Sequence, residues 1–306
     1  MLDVVVIGGS SAGLSAALVL GRSLRKVVVI DDQKPCNRFS RASHGFLTRD
    51  GIPPSELIRI AYDQLERYPT VARKMATALQ IEKNETGFEI TSSDASKLQT
   101  RIVLLATGLH DELPSLEGIE GLWGKSVFHC PYCDGYEVRG KAVMVYGLDE
   151  TAMHLVMMLR NLTDNLTLCA ADSWKLSEAQ RERLTRFAIT VIEKPIAALE
   201  STDTQIQAVR FADGTSLRCD ALFIRPESTH RTIFAHDLGC KINEHNVVQV
   251  DLRGRTSIEG VYAAGDLSSP IRSVAIAVAQ GAAAGYGINA ELMGLTPNSS
   301  NGIFPQ

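Results

Sequence analysis

The stretch Val4–Arg22, VVVIGGSSAGLSAALVLGR, decides the fold of this chain. It begins with an apolar run, continues through a turn of glycines and small residues, and ends in an apolar segment built from small side chains. A second apolar run follows at Lys26–Ile30. A strand buried on both faces, a tight turn, a crossover helix and a second buried parallel strand have this pattern. We therefore predict an α/β fold that opens with a βαβ unit.

The turn GGSSAG at 8–13 has the features of a dinucleotide-binding fingerprint. Gly8 permits the tight turn after the strand, and Gly13 lets the helix pack close to that strand. Ser10 stands at the middle glycine and is small enough for close approach of a ligand to the backbone. The N–H groups at the helix start suit a pyrophosphate, and Asp31 after the second strand suits ribose hydroxyls. On these residues alone, a glycine-rich turn without a ligand remains an alternative.

Length and composition describe a globular protein of about two domains at roughly 150 residues each. The chain has 306 residues, 45% of them hydrophobic, with 31 Lys and Arg against 35 Asp and Glu. A net charge of −4 lacks the basic surplus that nucleic-acid binding needs. No apolar run reaches the roughly 18 residues of a membrane span. The start Met1-Leu2-Asp3 carries no basic signal region, so we expect a cytoplasmic protein without nucleic-acid or membrane partners.

The opening pattern recurs once further along the chain. Strand, helix and strand are predicted at Lys141–Tyr146, Thr151–Asn161 and Asn165–Cys169, which make a second βαβ unit. Near the end, Val261–Asp266 predicts a strand and Ile271–Leu292 a helix of small residues. Between the two units we predict an amphipathic helix, a pair of antiparallel strands and a buried strand, at Ser55–Arg67, Leu79–Thr91 and Arg101–Ala106. The tail 294–306, rich in Pro, Ser and Asn, predicts neither helix nor strand.

Two of the six cysteines stand close together, in the sequence CPYC at 130–133. Pro131 suits the first turn of a helix, because its missing N–H is not needed there. Cys130 would then lie at the helix N-terminus, where the dipole lowers the pKa of a thiol and favours the reactive thiolate. Asp134 after the pair is a candidate proton carrier, and so is His129 before it. This arrangement indicates thiol–disulfide exchange.

Two other interpretations of the pair were weighed. A zinc site would need a second pair of ligands, but the other cysteines are dispersed and no His-x₃₋₅-His spacing occurs, so we expect no metal. Six cysteines in a chain of this length also do not form a disulfide framework. Two inert structural cysteines remain an alternative for the pair, and a solvated side chain remains one for His129.

Four motifs occur in the order seen in low-molecular-weight thioredoxin reductases, which the chain resembles over nearly its whole length. They are GGSSAG at 8–13, ATG at 106–108, CPYCDG at 130–135 and AAGD at 263–266. The resemblance implies two Rossmann-like, three-layer ββα nucleotide-binding domains and a homodimer. It implies FAD in a discontinuous domain, residues 1–112 and 243–306. Residues 113–242 would form an NAD(P)H-binding-like domain that carries the CPYC motif.

The resemblance also implies roles for individual residues. Cys133 would face the flavin, Cys130 would exchange with the substrate, and Asp134 would transfer protons. His129 lies outside the family's pattern. The cofactor site implied for FAD is spread over the fingerprint and four other stretches: Gly8, Ser10, Ser11, Ala12, Gly13, Asp31, Thr107, Gly108, Gly265, Asp266, Ser273 and Val274.

The chain departs from the family where NADPH should bind. The second glycine-rich turn reads GLDETA at 147–152, and only Gly147 of its glycines remains. Asp149 stands where a pyrophosphate should approach, and Leu148 adds bulk where glycine is expected. The His-Arg-Arg run for the 2′-phosphate is replaced by CAAD at 169–172. We predict that nicotinamide binding is lost, with residual NADH binding as the alternative.

A further departure lies near the flavin ring, where the family's Arg-Gln-Ala is replaced by Arg272-Ser273-Val274. Phe304 in the tail is a candidate to cover the flavin face that an absent nicotinamide leaves open; an aromatic without that role is the alternative.

These features predict an FAD-dependent thiol/disulfide oxidoreductase that does not use NADPH. The favoured direction is oxidation of a dithiol, with oxygen as the electron acceptor. The alternative direction is reduction of a disulfide such as that of thioredoxin, with ferredoxin or another donor supplying the electrons. An alternative of another class is a non-catalytic flavoprotein that senses redox state through its cysteine pair.

Overall fold

The computed structural model describes residues 1–171 and 174–295. Within them the chain divides into two compact units, each built from more than one segment of sequence. The first unit comprises Met1–Arg38, Ser55–His110 and the described residues from Thr229 onwards. The second unit comprises Phe39–Pro54 and Asp111–Ser228.

The described residues form both strands and helices. The strands, β1 to β17 in chain order, are Leu2–Ile7, Val27–Asp31, Val71–Met75, Ala78–Asn84, Gly87–Ser92, Lys97–Leu105, Leu109–Glu112, Val127–Phe128, Val143–Gly147, Leu166–Ala170, Thr190–Ile192, Ile196–Thr202, Gln205–Phe211, Ser216–Arg218, Ala221–Ile224, Glu227–His230 and Val261–Ala263. The α-helices, α1 to α8, are Ser11–Arg22, Pro54–Leu65, Ile119–Leu122, Pro131–Asp134, Ala152–Leu159, Glu178–Arg186, Ile233–Asp237 and Val274–Leu292.

The first unit is built on a sheet with strand order β3-β2-β1-β6-β5-β4, and β17 pairs with the second half of β6. Strands β1, β2, β3, β6 and β17 pair in parallel, whereas β4, β5 and the start of β6 pair antiparallel. Val4 on β1 stands between Val27 on β2 and Ile102 on β6, and all three are buried. The apolar run of β1 is therefore explained by neighbours on both sides and cores on both faces.

Helices α1 and α8 pack closely together in the first unit. A Cβ atom at Gly281 would lie 2.0 Å from the carbonyl oxygen of Ala12, and one at Gly285 would lie 2.9 Å from Cβ of Val19. Ser15 Oγ donates a hydrogen bond to the carbonyl of Val278 at 2.7 Å. The small residues predicted for both helices are therefore required by their close approach.

The second unit contains a parallel sheet of order β11-β10-β9-β15-β8 and a separate antiparallel sheet, β12-β13-β14. Its central strand β9 is followed by α5 and β10, which repeats the βαβ connection of the first unit. Apolar side chains cover both faces of the parallel sheet. Val145 on β9 belongs to the core on the α5 side, and Met144 belongs to the core shared with the antiparallel sheet.

The α/β fold class with Rossmann-like parallel sheets is confirmed, and the observed unit boundaries differ in detail from those predicted. The first unit resumes at Thr229 rather than at 243, because α7 buries Ala235 in the core of the first sheet. Segment Phe39–Pro54 groups with the second unit, where Arg41 donates a hydrogen bond to Thr204 Oγ1 at 2.6 Å. The assignment of FAD to the first unit stays a prediction.

Three further expectations can be set against the structure. Helix α8 begins at Val274 rather than at 271, since Ser273 at its N-cap is extended, with φ −162° and ψ 139°. The tail from 296 and Phe304 lie outside the described residues. Over the ranges that are described, no helix is both long and apolar enough to cross a membrane.

Candidate functional site

The glycines of the first βα turn are required by close backbone contacts. Gly8 follows β1 with φ +110°, and a Cβ atom there would lie 2.3 Å from the carbonyl oxygen of Ala106. A Cβ atom at Gly13 would lie 1.9 Å from the carbonyl oxygen of Gly8. Both distances are far below van der Waals contact, so a side chain at either position would displace main chain. The turn keeps the shape that lets a phosphate group approach its backbone.

The start of α1 is open to an anion. Its N-cap, Ser10, makes no side-chain capping hydrogen bond, and the first turn of the helix contains no acidic residue. The first backbone hydrogen bond of the helix runs from Leu14 N to the carbonyl of Ser10 at 2.9 Å. Residues Ser11, Ala12 and Gly13 therefore present the N–H groups that a helix leaves for a ligand at its N-terminus. These features fit the pyrophosphate of FAD.

Asp31 ends β2 beside this turn and is only 7% exposed. Its carboxylate accepts hydrogen bonds from the Tyr62 hydroxyl at 2.9 Å and from Gln33 N at 3.1 Å. A Cβ atom at Gly9 would lie 2.7 Å from Asp31 Cγ, so the acid packs directly against the turn. Arg73 lies 3.8 Å from the same carboxylate. This position fits an acid that binds ribose hydroxyls.

Tyr62 on α2 was not found by the sequence analysis. Burial raises the pKa of its hydroxyl well above the usual range, and the neighbouring Asp31 carboxylate adds to this rise. The phenol therefore stays a hydrogen-bond donor to Asp31. Only the amphipathic pattern of α2 is visible in the sequence, and that pattern does not distinguish a tyrosine that holds an acid from one that fills a core.

The AAGD motif lies against the same turn. Gly265 has φ +78°, and a Cβ atom there would lie 2.9 Å from Cβ of Ala12. The N–H of Gly265 donates to Gln280 Oε1 at 2.9 Å, which fixes the start of the 3₁₀ turn Gly265–Leu267. The structure thus brings the first and last predicted cofactor motifs together. Gln280 carried no signal in the sequence.

Asp266 has two neighbours that the sequence analysis did not connect with it. Its carboxylate oxygen Oδ2 lies 3.8 Å from Cys36 Sγ, and its main-chain oxygen lies 2.7 Å from His230 Nδ1. The predicted pair Thr107 and Gly108 contacts the same segment as His230. Thr107 Oγ1 donates to the carbonyl of Arg231 at 2.9 Å, and the carbonyl of Gly108 accepts from Arg231 N at 3.0 Å. Segment 229–232 therefore belongs to the surroundings of this candidate site.

Ser273 and Val274 occupy the start of α8. Ser273 is the N-cap residue and makes no side-chain capping bond, and Val274 is the first helical residue. Ala277, one turn later, lies on the side of Gly265, with 3.9 Å between its Cβ and a Cβ built on that glycine. The first turn of α8 thus lies beside the AAGD turn, where we predict that Ser273 and Val274 contact the cofactor.

The cysteine pair lies in the second unit, at the start of a short helix. Cys130 is the N-cap residue of α4, with φ −125° and ψ 108°, and Pro131 is the first helical residue, as predicted. The N–H groups of Cys133 and Asp134 both donate to the carbonyl of Cys130 at 3.1 Å. Both cysteines are partly exposed, and Tyr132 between them is 84% exposed. The pair is therefore accessible on one side of the turn.

Asp134 has the electrostatics of a proton carrier. Burial, and then the charges of Cys130 and Glu137, raise the pKa of its carboxyl group to about 7. An acid with such a pKa exchanges protons readily at neutral pH. His129 has a different environment, because its ring stacks on the buried Trp123 with 5.7 Å between centroids. The stacking gives His129 a packing contact, whereas its predicted catalytic role stays a prediction.

The second βα turn differs from the first. Asp149 Oδ1 accepts hydrogen bonds from both the N–H of Thr151, at 2.8 Å, and its hydroxyl. The N–H groups of Ala152 and Met153 donate to the carbonyls of Asp149 and Glu150 at 3.2 and 3.1 Å. The first donors of α5 are thus already satisfied within the chain. Across the described ranges, no cluster of His, Cys, Asp or Glu has the makeup of a metal site.

Asp134 leads to a prediction about stability. Its pKa is raised in the folded protein from about 3.9 in an unfolded chain, so folding favours the protonated form. The stabilisation is complete below about pH 4 and is lost as the pH rises through about 7. We therefore expect the melting temperature of Asp134→Asn holoenzyme, relative to wild type, to increase over this range and then level off. A relative melting temperature that is the same at both ends of the range would contradict the raised pKa.

Comparison with known proteins agrees with this geometry. The family model for pyridine nucleotide-disulphide oxidoreductases matches residues 2–281. Thioredoxin reductase aclD of Aspergillus oryzae is 29% identical over 304 residues, covering 95% of this chain and 96% of its own. Two solved structures, TrxB from Bacillus anthracis and an oxidoreductase from Agrobacterium tumefaciens, are 34% and 32% identical, with TM-scores of 0.91 and 0.90. Each alignment covers 96% of this chain and 99% of the other. The chain therefore belongs to the pyridine nucleotide-disulphide oxidoreductase family and is an FAD-dependent, thioredoxin reductase-like enzyme.

Proposed function

We propose that this enzyme is a thiol/disulfide oxidoreductase that works without NADPH, and that it oxidises a dithiol substrate to a disulfide. Oxygen takes up the two electrons and two protons and leaves as hydrogen peroxide, so the reaction is balanced without a nicotinamide. The observation that carries this proposal is the second βα turn, because hydrogen bonds within the chain already use the N–H groups that a dinucleotide would need there. The alternative direction, reduction of thioredoxin with electrons from ferredoxin, uses the same cysteine pair.

The hydrogen bonds of Asp149 oppose a pyrophosphate at this turn. The N–H and hydroxyl of Thr151, the N-cap residue of α5, donate to the Asp149 carboxylate, so this negative charge lies next to the helix start where an anion would bind. A dinucleotide would have to displace this carboxylate or lie beside it. The negative charges of the carboxylate and the pyrophosphate would then repel each other. In the first unit, by contrast, the first backbone hydrogen bond of α1 runs from Leu14 N to the carbonyl of Ser10, so the three preceding N–H groups are left for a ligand. The two turns differ in their backbone as well, since the N-cap residue Ser10 is extended, with φ −109° and ψ −163°, whereas Thr151 is helical, with φ −65° and ψ −21°.

Trp174 fills the space next to Gly147. A Cβ atom at this glycine would lie 2.7 Å from Cζ3 of the indole ring, so ring and turn are in close contact. Trp174 is partly buried and packs against the apolar core on the α5 side of the sheet. Its main-chain N–H donates to the carbonyl of Ala171 at 2.9 Å. A nucleotide that crossed the end of β9 at Gly147 would therefore meet this ring. Asp172, part of the missing phosphate pocket, lies outside the described residues.

The chain's own groups supply the thiol chemistry. A substrate thiolate attacks Cys130 of the oxidised pair, and Cys133 leaves with the electron pair of the broken S–S bond. The second substrate thiolate attacks the mixed disulfide, so the substrate disulfide forms and Cys130 leaves. Asp134, with a pKa of about 7, has the proton that this leaving thiolate takes up. FAD bound by the first unit would accept the two electrons and pass them to oxygen.

Anaerobic reduction of the flavin tests the proposal directly. Holoenzyme is mixed in turn with NADPH, NADH, dithiothreitol and reduced ferredoxin, and loss of flavin absorbance is followed. We expect NADPH at about millimolar concentration to leave the flavin oxidised. A working site would be close to saturated at this concentration, because typical KM values lie at or below it. The same sample should then bleach with dithiothreitol, which shows that it is competent. Prompt bleaching by NADPH would refute the proposal, and bleaching by ferredoxin alone would support the reverse direction.

A further inference from the structure

Glu137 lies one turn after Asp134 on the same face of a continuous helical stretch. Helix α4 ends at Asp134, Gly135 keeps right-handed helical angles of φ −70° and ψ −32°, and a 3₁₀ turn follows at Tyr136–Val138. The N–H of Gly135 donates to the carbonyl of Pro131 at 2.9 Å, which confirms that the turns are continuous. Side chains three residues apart in such a stretch are neighbours. The charge of Glu137 is one of the three causes that raise the pKa of Asp134.

His44, on a loop of the second unit, contacts Glu137. Its Nε2 atom lies 3.6 Å from Glu137 Oε1, and its Nδ1 atom lies 3.5 Å from Asp50 Oδ1. The His44 side chain is 21% exposed, so it is fixed between the two carboxylates rather than extended into solvent. The sequence analysis used neither His44 nor Glu137, because they are far apart in the chain.

The loop that carries His44 is closed by its own hydrogen bonds. Ser43 N donates to the carbonyl of Ile52 at 2.7 Å, and Gly51 N donates to the carbonyl of Ser43 at 2.9 Å. Asp50 Oδ1 also accepts from Gly45 N at 2.8 Å, so the carboxylate that contacts His44 is itself held in place. A loop tied in this way keeps the imidazole at a constant position, which is what an electrostatic contact to Glu137 requires.

We propose that Glu137, held by His44, is a positioning residue that keeps Asp134 protonated at neutral pH, so that Asp134 can protonate Cys130 when the product disulfide leaves. This inference rests on the proposed direction of the reaction. In the step itself, the S–S bond between Cys130 and the substrate breaks and the electron pair stays on Cys130 Sγ. The proton passes from the Asp134 carboxyl to this sulfur, and Asp134 regains a proton from solvent.

The groups that face Asp134 are few. Cys130 at the N-cap of its own helix and Glu137 on the following turn are the charged neighbours that raise its pKa. Helix α5 packs beside α4 and has a single titratable side chain, His154, which is exposed. The loop at 43–52 contributes His44 and, behind it, Asp50. Outside the cysteine pair, Glu137 is therefore the charged group whose removal should change the protonation of Asp134.

The test compares the pH dependence of flavin reduction by dithiothreitol in four holoenzymes. They are wild type, Glu137→Gln, Glu137→Asp and Glu182→Gln, the last being an exposed glutamate on α6 that serves as matched control. Ionisation of dithiothreitol is common to all four, so differences between profiles belong to the protein. We expect the fall in rate at high pH to begin about 0.5 pH unit lower in Glu137→Gln, from the loss of one charge near the surface. The other two variants should follow wild type.

A double-substitution cycle tests the contact with His44. The single variant His44→Gln should have a shifted pH profile of flavin reduction. The same substitution in the Glu137→Gln background should cause no further shift, because the two side chains act on Asp134 as one unit. Carboxyl titration of Asp134 by NMR with ¹³C-labelled aspartate gives the same comparison without turnover. Unchanged titration of Asp134 in Glu137→Gln would overturn this inference. Failure of wild type to be reduced by any dithiol would instead refute the proposed function, while the carboxyl titration would still decide the role of Glu137.

Discussion

Cys133→Ser enzyme is expected to lose turnover by about 10³-fold or more and to accumulate a covalent adduct with substrate, as loss of a resolving nucleophile predicts. In this variant Cys130 remains at the N-cap of α4, partly exposed and next to the exposed Tyr132. It can attack a substrate disulfide, but the mixed disulfide cannot be resolved by its partner. The flavin should therefore stay oxidised when dithiols are added. Intact-mass measurement after incubation with thioredoxin or a small disulfide detects the adduct.

Cys130→Ser enzyme should lose as much activity and form no adduct. Its remaining thiol, Cys133, is the one expected beside the flavin, and a long-wavelength charge-transfer band would mark that position. Cys240→Ser is the matched control, since burial raises the pKa of this thiol and its Sγ contacts Thr256 Oγ1 at 3.5 Å. An adduct on Cys130→Ser instead would reverse the two roles. Absence of an adduct on both variants would favour the redox-sensing alternative.

The features that sequence alone predicted are those encoded by neighbouring residues. The fingerprint at 8–13 has glycines at fixed spacing between two apolar runs. Only a strand, a turn and a helix satisfy this pattern, and the structure has all three at this place. Pro131 after Cys130 likewise predicted the start of α4. The buried strand β1 was visible because both its faces are covered, so its pattern is a continuous apolar run.

The remaining features depend on residues that are distant in sequence. The sequence at 147–152 showed that glycines were missing. It did not show that Asp149 accepts hydrogen bonds from Thr151, the N-cap residue of α5, or that Trp174 packs on Gly147. The contact between His44 and Glu137 joins a loop and a helix and leaves no local pattern. The unit boundaries differ from the predicted ones for the same reason. An alanine such as Ala235 on α7 could lie in the core of either unit, and only the packing shows that it belongs to the first.

Gly13→Ala protein is expected to lose most of its FAD and to be destabilised by about 3 kcal/mol or more, the upper range for overpacking. The added Cβ atom would lie 1.9 Å from the carbonyl oxygen of Gly8, and a main-chain atom cannot move aside as a side chain does. The helix start and the turn must separate, which removes the N–H groups that fit a pyrophosphate. Flavin absorbance per mole of purified protein and the melting temperature measure the two effects. Gly121→Ala, where no atom lies within 4 Å of the new Cβ, is the neutral control.

Gly147→Ala separates loss of FAD from loss of folding. This glycine occupies the corresponding turn of the second unit, and its Cβ atom would lie 2.7 Å from Trp174 Cζ3 and 2.8 Å from Ala152 Cβ. The substitution is as crowded as many that destabilise a core, so the melting temperature should fall. FAD content should stay near that of wild type, because we assign the cofactor to the first unit, where the first N–H groups of α1 are left for a pyrophosphate. Equal loss of FAD from both alanine variants would show that the second turn also holds the cofactor, and that the assignment of the two units is wrong.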